Sequence, residues 1–173
     1  PYFSLFSIYV VGSVEYQYPN HLFQAGYFLD KKYYDENTID FKHLLLSEKN
    51  QSLLKDIQNS NSVGVHIRRG DYMTKQNLVI FGNICTQKYY HDAIRIITEK
   101  VNDAVFYVFS DDISWVQTHL DIPNAVYVNW NTGESSIYDM YLMSSCKYNI
   151  IANSTFSYWA ARLNKKTNMV IYP

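Results

Sequence analysis

The chain has 173 residues, 47% hydrophobic and 18% charged, which suffices for one well-buried core and has the balance of a globular protein. With 15 basic against 16 acidic side chains the formal net charge is −1, so no global basic field exists to hold nucleic acid or an anionic membrane surface. Any anion binding must be local, and two distant cysteines (Cys85, Cys146) outside any metal-ligand spacing argue against a zinc site and for free, mostly buried thiols, with a single disulfide as the alternative.

In the first fourteen residues, Ile, Val and Phe are interrupted by serines, and the run is too short for the roughly 20 apolar residues a membrane span needs. No basic segment precedes it, so a signal peptide is not expected, and an opening on Pro1 without Met points to a fragment or a processed product. Residues 1–60 are aromatic, polar and poorly periodic, with one amphipathic stretch from Glu48 to Ile57. They are expected to be the remnant of a preceding domain followed by a linking helix, with a second domain over 61–173.

From residue 61 on, short β-rich runs alternate with helical patterns. Val63 to Arg68 reads as a strand, and Gln87 to Val101 as a helix behind a Thr86 cap, with Tyr90, Ala93, Ile94, Ile97 and Val101 on its apolar side. Ala104 to Phe109 is a strand, followed by a helix capped by Asp111 or Asp112 and running through Leu120. Ala125 to Val128 (strand), Ser135 to Cys146 (helix), Tyr148 to Ala152 (strand), a helix from Ser154 or Thr155 through Leu163, and Met169 to Tyr172 (strand) complete the series. Such alternation predicts an α/β fold, a Rossmann-like parallel sheet with helices on both faces, and ligands beyond the carboxyl ends of the strands.

That rule selects three loops. His66-Ile67-Arg68-Arg69-Gly70-Asp71 follows an apolar strand directly; strand alternation puts His66 and Arg68 on one face and Val65 and Ile67 on the other. Paired guanidiniums at a strand exit suit a pyrophosphate, because the planar fork of donors grips phosphate oxygens bidentately. An exposed basic turn, or an adhesive Arg-Gly-Asp tripeptide, is the plainer alternative, the latter disfavoured by the strand it follows. Asp111 and Asp112 can bind a metal, act as acid and base, or simply cap a helix. Asn153-Ser154-Thr155-Phe156-Ser157 places small hydroxyls at a helix N-terminus, where free amides and the macrodipole favour an anion, or where they merely cap it. Asp139, within the apolar stretch Ile137 to Leu142, needs either a partner such as the amine edge of guanine or an exposed helix face. The 17 tyrosines and three tryptophans suit sugar rings and nucleobases, but aromatic side chains also fill cores.

His66 to Tyr72, Phe109 to Asp112, the Asp139 helix and Ala152 to Ala161 together resemble the α-1,2-fucosyltransferases, glycosyltransferase family 11, in order, spacing and residue type. Upstream, Gly26-Tyr27-Phe28 with Lys32-Tyr33-Tyr34 resembles a segment those enzymes carry before the His-Arg-Arg strand. The resemblance implies the donor-binding half of a two-domain GT-B enzyme that moves fucose, with inversion, from GDP-fucose to the 2-hydroxyl of a galactose-terminated glycan, with neither metal nor cofactor. By resemblance, Arg68 holds the β-phosphate and Arg69 positions the loop or the same charge. His66 and Asp139 address guanine or ribose. Ser154, Thr155, Phe156 and Ser157 supply amides and hydroxyls to the pyrophosphate, and Asp111 or Asp112 shapes the pocket. Asp71 is the motif's carboxylate for the acceptor proton, or a partner of Arg69.

The family's N-terminal Gly-Gly-Leu-Gly-Asn-Gln segment has no counterpart here. The expectation is therefore a donor half with little of the acceptor half, some exposed apolar surface, and a truncated, inactive GDP-sugar-binding module as the alternative function. A cytoplasmic location, at the inner face of a bacterial membrane if peripherally associated, completes the expectations, with lipopolysaccharide as the glycan.

Overall fold

The computed structural model describes residues Tyr16–Tyr18, His21–Phe23 and 40–173. Strands β1 (Tyr16–Tyr18) and β2 (His21–Phe23) pair antiparallel with each other. The Gly26 to Tyr34 segment singled out above lies outside the described residues.

Phe41–Pro173 forms one compact unit. Its chain order is α1 (Glu48–Asn59), β3 (Asn61–Ile67), α2 (Lys75–Phe81), α3 (Gln87–Lys100), β4 (Ala104–Ser110), α4 (Ile113–His119), β5 (Ala125–Val128), α5 (Ser136–Ser144), β6 (Tyr148–Ile150), α6 (Thr155–Leu163) and β7 (Met169–Ile171). Because the unit begins at Phe41, α1 is part of it rather than a linker ahead of it: Ser47 caps the helix, and Leu53 and Ile57 join the core with α5. The strand and helix expectations recur within a few residues. The helix α2 was not among them, because it buries no residue and so leaves no periodic apolar face.

The five strands lie in the order β5-β4-β3-β6-β7, all neighbours parallel. From β3 the chain winds outward through β4 to β5, then returns to β6 and winds the other way, so β3 and β6 flank the point where strand order reverses. In open α/β sheets that is where the carboxyl ends leave a crevice for ligands.

Both faces are covered. Val63, Val65, Ile67, Phe106 and Val108 pack with Tyr90, Ile94 and Ile97 of α3 and Val116 of α4. Tyr107, Phe109 and Val128 pack on the other face with Leu53 and Ile57 of α1, Met140, Leu142 and Met143 of α5, and Ala160 of α6. A strand buried on both sides reads as a continuous apolar run, which is why β4 is legible as Val-Phe-Tyr-Val-Phe. Two adjacent tyrosines of α3 tie the carboxyl ends together. Tyr89 Oη donates to the carbonyls of Ile151 (2.7 Å) and Ile171 (3.1 Å), and Tyr90 Oη donates to the His66 carbonyl (3.1 Å). Burial pushes both phenols upward, so they remain donors.

Cys85 and Cys146 are free thiols. No described helix is long and apolar enough to cross a membrane.

Candidate functional site

Strand β3 delivers His66 at its end and then stops. Alternation holds only to Ile67: the His66 ring turns toward α6, 5.1 Å from the Phe156 ring, whereas Arg68 sits past the last strand residue and lines a cleft of about 160 Å³ with Arg69, Tyr72, Phe81, Cys85, Trp115 and Asn153. The two side chains therefore do not share a strand face, because the ladder that enforces the pleat has ended.

The arginines are held differently. Arg68 Nη2 lies 2.7 Å from Asp71 Oδ1 and its Nη1 lies 2.9 Å from Asp111 Oδ2. Arg69 Nε lies 3.2 Å from Asp112 Oδ2, and its guanidinium sits 3.6 Å over the Trp115 ring centroid. Asp71 therefore pairs with Arg68 and not with Arg69, as the 3₁₀ turn over Gly70–Met73 brings residues three apart together.

The two aspartates after β4 divide their work. Asp112 is the cap of α4, its Oδ1 accepting the Trp115 N–H at 3.1 Å. Asp111 instead braces the neighbouring loop, with Oδ1 accepting the Arg69 N–H at 2.9 Å. A methyl group on Gly70 would lie 2.5 Å from Asp111 Oδ2, so only glycine leaves room for this carboxylate.

After β6, Ser154 occupies the cap position of α6 without a side-chain capping bond, and Thr155 is exposed. The first-turn amides of such a helix have no partner four residues back. Ser157 departs from its expected role as a hydroxyl donor to phosphate. It is fully buried, and its Oγ donates to the carbonyls of Ala152 (3.2 Å) and Ser154 (3.3 Å), because position 157 lies on the helix face that carries Ala160 into the core.

His66 is buried, and its Nδ1 has no hydrogen-bond partner among the described residues. Burial, reinforced by the Arg68 charge, lowers its pKa to about 3, so it is a neutral imidazole and adds no cation to the site. Asp139 lies in the first turn of α5, where Asn131 Nδ2 donates to its Oδ1 at 2.7 Å. Burial raises its carboxyl to about 7 against the opposing effect of that bond. Asn131 in turn exchanges hydrogen bonds with buried Asn50 of α1, which also accepts from Trp130 Nε1 at 2.8 Å. The sequence does not display this amide network, and it places Tyr72 in the motif without a role; its Oη donates to the Asn153 carbonyl at 2.9 Å and its ring stacks on Phe81 at 4.7 Å. Around α2 the surface is apolar, with Val79 and Ile80 85% and 64% exposed.

The strand-end arginines, the Asp pair and the Ser/Thr helix start thus converge at one end of the sheet. The model for Glycosyl transferase family 11 matches residues 10–173. The chain belongs to this family. An Alpha-1,2-colitosyltransferase of Escherichia coli is 36% identical over 161 residues, covering 88% of this chain and 52% of that protein. The O-antigen biosynthesis glycosyltransferase WbnK of Escherichia coli is 44% identical over 115 residues, 66% of this chain and 38% of that protein. The chain thus spans about half or less of the length of these family relatives. A solved structure of POFUT1 in complex with GDP aligns with a TM-score of 0.51 at 11% identity, over 72% of this chain and 46% of that one. The fold is accordingly a Rossmann-like parallel sheet with helices on both faces, as expected, and is shared with that structure.

Proposed function

We propose that the crevice at the β3/β6 reversal binds GDP-fucose and that the protein transfers fucose to the 2-hydroxyl of a galactoside with inversion. The observation that carries this reading is Arg68 beyond the end of β3, with the α6 first turn at the end of the adjacent strand β6. A guanidinium and a helix N-terminus are complementary to a diphosphate on which charge collects as the sugar C1–O bond breaks, which is the work a metal does elsewhere. Neutral His66 and Asp139 then recognise guanine or ribose through hydrogen bonds. Arg69, fixed by Asp112 and Trp115, positions the loop, and Asp71 takes the acceptor proton. The GDP in the POFUT1 structure and the O-antigen role of the WbnK relative support a nucleotide-sugar donor and a lipopolysaccharide acceptor. That chemistry belongs in the cytoplasm, at the inner face of a bacterial membrane.

The colitosyltransferase relative favours a second reading for the donor sugar, colitose in place of fucose. A third, an inactive GDP-sugar-binding module, keeps the binding and loses the transfer. Transfer assays on lactose with GDP-fucose and with nucleotide-linked colitose, run beside GDP titrations, separate the three. Guanine-selective binding with fucose transfer supports the first reading, and failure to bind GDP refutes it.

A further inference from the structure

Around Arg68 and Arg69 stand three carboxylates, Asp71, Asp111 and Asp112, so the cluster meant for a diphosphate carries more negative than positive charge. A diphosphate enters favourably only if one carboxylate gives way, and the geometry identifies which one.

Asp112 is committed to the α4 cap and to Arg69. Asp111 uses both oxygens, one on Arg68 and one on the Arg69 amide, and its side chain is only 27% exposed. Asp71 differs from both. Its side chain is 53% exposed and, among the described residues, its one ion pair is the 2.7 Å contact to Arg68. Its backbone is fixed independently, since the Asp71 carbonyl accepts from Thr74 N (3.3 Å) and from Asn77 Nδ2 (3.0 Å). The carboxylate can therefore leave Arg68 by side-chain rotation alone while the turn stays in place.

Resting on the function proposed above, we propose that Asp71 and the donor diphosphate exchange on Arg68, so that donor binding itself releases the Asp71 carboxylate to serve as base. While Arg68 holds it, an Asp71 oxygen is committed to the guanidinium. When phosphate oxygens take that guanidinium, the carboxylate is delivered, three residues along the same turn, to the edge of the site. In the transfer step the acceptor oxygen forms its bond to the sugar C1, and the C1–O bond to phosphate breaks with its electron pair going to the diphosphate. The acceptor proton goes to Asp71. The base thereby becomes available only once the donor is bound.

The test is calorimetric titration of the 173-residue chain, wild type, Asp71→Asn, Asp71→Ser and Asp111→Asn, with GDP, ADP and inorganic pyrophosphate. Removing an exposed competitor of this kind should tighten GDP and pyrophosphate about two- to fivefold in both Asp71 variants. Asp111→Asn, which loosens the loop, should weaken them. Unchanged or weaker binding in both Asp71 variants, with wild type binding GDP selectively, overturns the exchange and leaves the donor assignment standing. Tighter binding without preference for GDP over ADP upholds the exchange and overturns the guanine assignment. Absence of binding by every form overturns both.

Discussion

The Arg69 guanidinium lies over Trp115, 3.6 Å from the ring centroid, while Arg68 beside it is held by Asp71 at 2.7 Å and Asp111 at 2.9 Å, with the Tyr72 ring 5.7 Å away. Adjacent residues of one type thus have opposite settings: Arg69 is 19% exposed and packed into α4, whereas Arg68 is 35% exposed at the mouth of the cleft. A stacked guanidinium contributes to the fold and a carboxylate-held one is ready to change partners.

Arg68→Ala is therefore expected to weaken GDP binding by about 2–4 kcal/mol, with only a modest change in Tm, because the ion pairs it loses lie partly in solvent at the cleft mouth. Arg68→Lys should recover only part of the affinity, since an ammonium lacks the fork. Arg69→Ala should lower Tm as well as affinity. Calorimetry and thermal melts on the three variants check the contrast, and equal Tm losses for Arg68→Ala and Arg69→Ala would contradict it.

Asp139 sets a pH dependence of stability. Its folded carboxyl titrates near about 7 against 3.8 ordinarily, so the folded protein keeps a proton that the unfolded chain releases between those values. The stability tied to that proton is full below the lower value and is lost as pH rises through about 7. His66 acts in the opposite sense: neutral in the fold down to about 3 but protonated below 6.5 in the unfolded chain, it costs stability as pH falls through that window. In Asp139→Asn the first effect disappears and the second remains. The Tm difference between variant and wild type should move in the variant's favour from about pH 5 to about pH 8, while GDP affinity falls. A difference independent of pH would contradict the burial of an ionisable carboxyl there.

Gly70→Ala should act on binding more than on folding. The added methyl displaces Asp111 from the Arg69 amide at an exposed turn, so GDP affinity should drop at least several-fold with a Tm shift of only a few degrees. Gly64→Ala is the contrasting case, because its methyl would lie 2.7 Å from Asn149 Oδ1 and 3.3 Å from Cys146 Sγ inside the core. Overpacking there should cost about 1–3 kcal/mol of stability. Chemical denaturation of the two variants distinguishes them.

Where a residue's role depends on local period, the sequence displays it. The α3 stripe of Tyr90, Ala93, Ile94 and Ile97 and the β4 run are such cases, and both elements begin where expected. The convergence of the three loops also follows from topology, because parallel winding sends every strand's carboxyl end to one edge. Partnerships between elements are a different matter. Nothing in the spacing of Asn50, Trp130, Asn131 and Asp139 shows that α1 packs beside the β5 exit, yet that packing brings Asn50 to Trp130 and to Asn131, the residue that donates to Asp139. Asp71 and Arg68 meet through the 3₁₀ turn, whose short-range geometry carries no apolar period. Ser157 belongs to a polar motif by composition but to the buried face of α6 by helical phase, and burial decides its hydroxyl's partners.

If the strand-end arginine and the β6–α6 loop form a guanine-nucleotide site, titrating the chain and its Arg68→Ala variant with GDP, ADP and UDP reveals it. Binding is expected to prefer GDP in the wild type and to fall on the order of a hundredfold in the variant. Equal affinity for the three nucleotides, or GDP binding unchanged by Arg68→Ala in a folded protein, would contradict it.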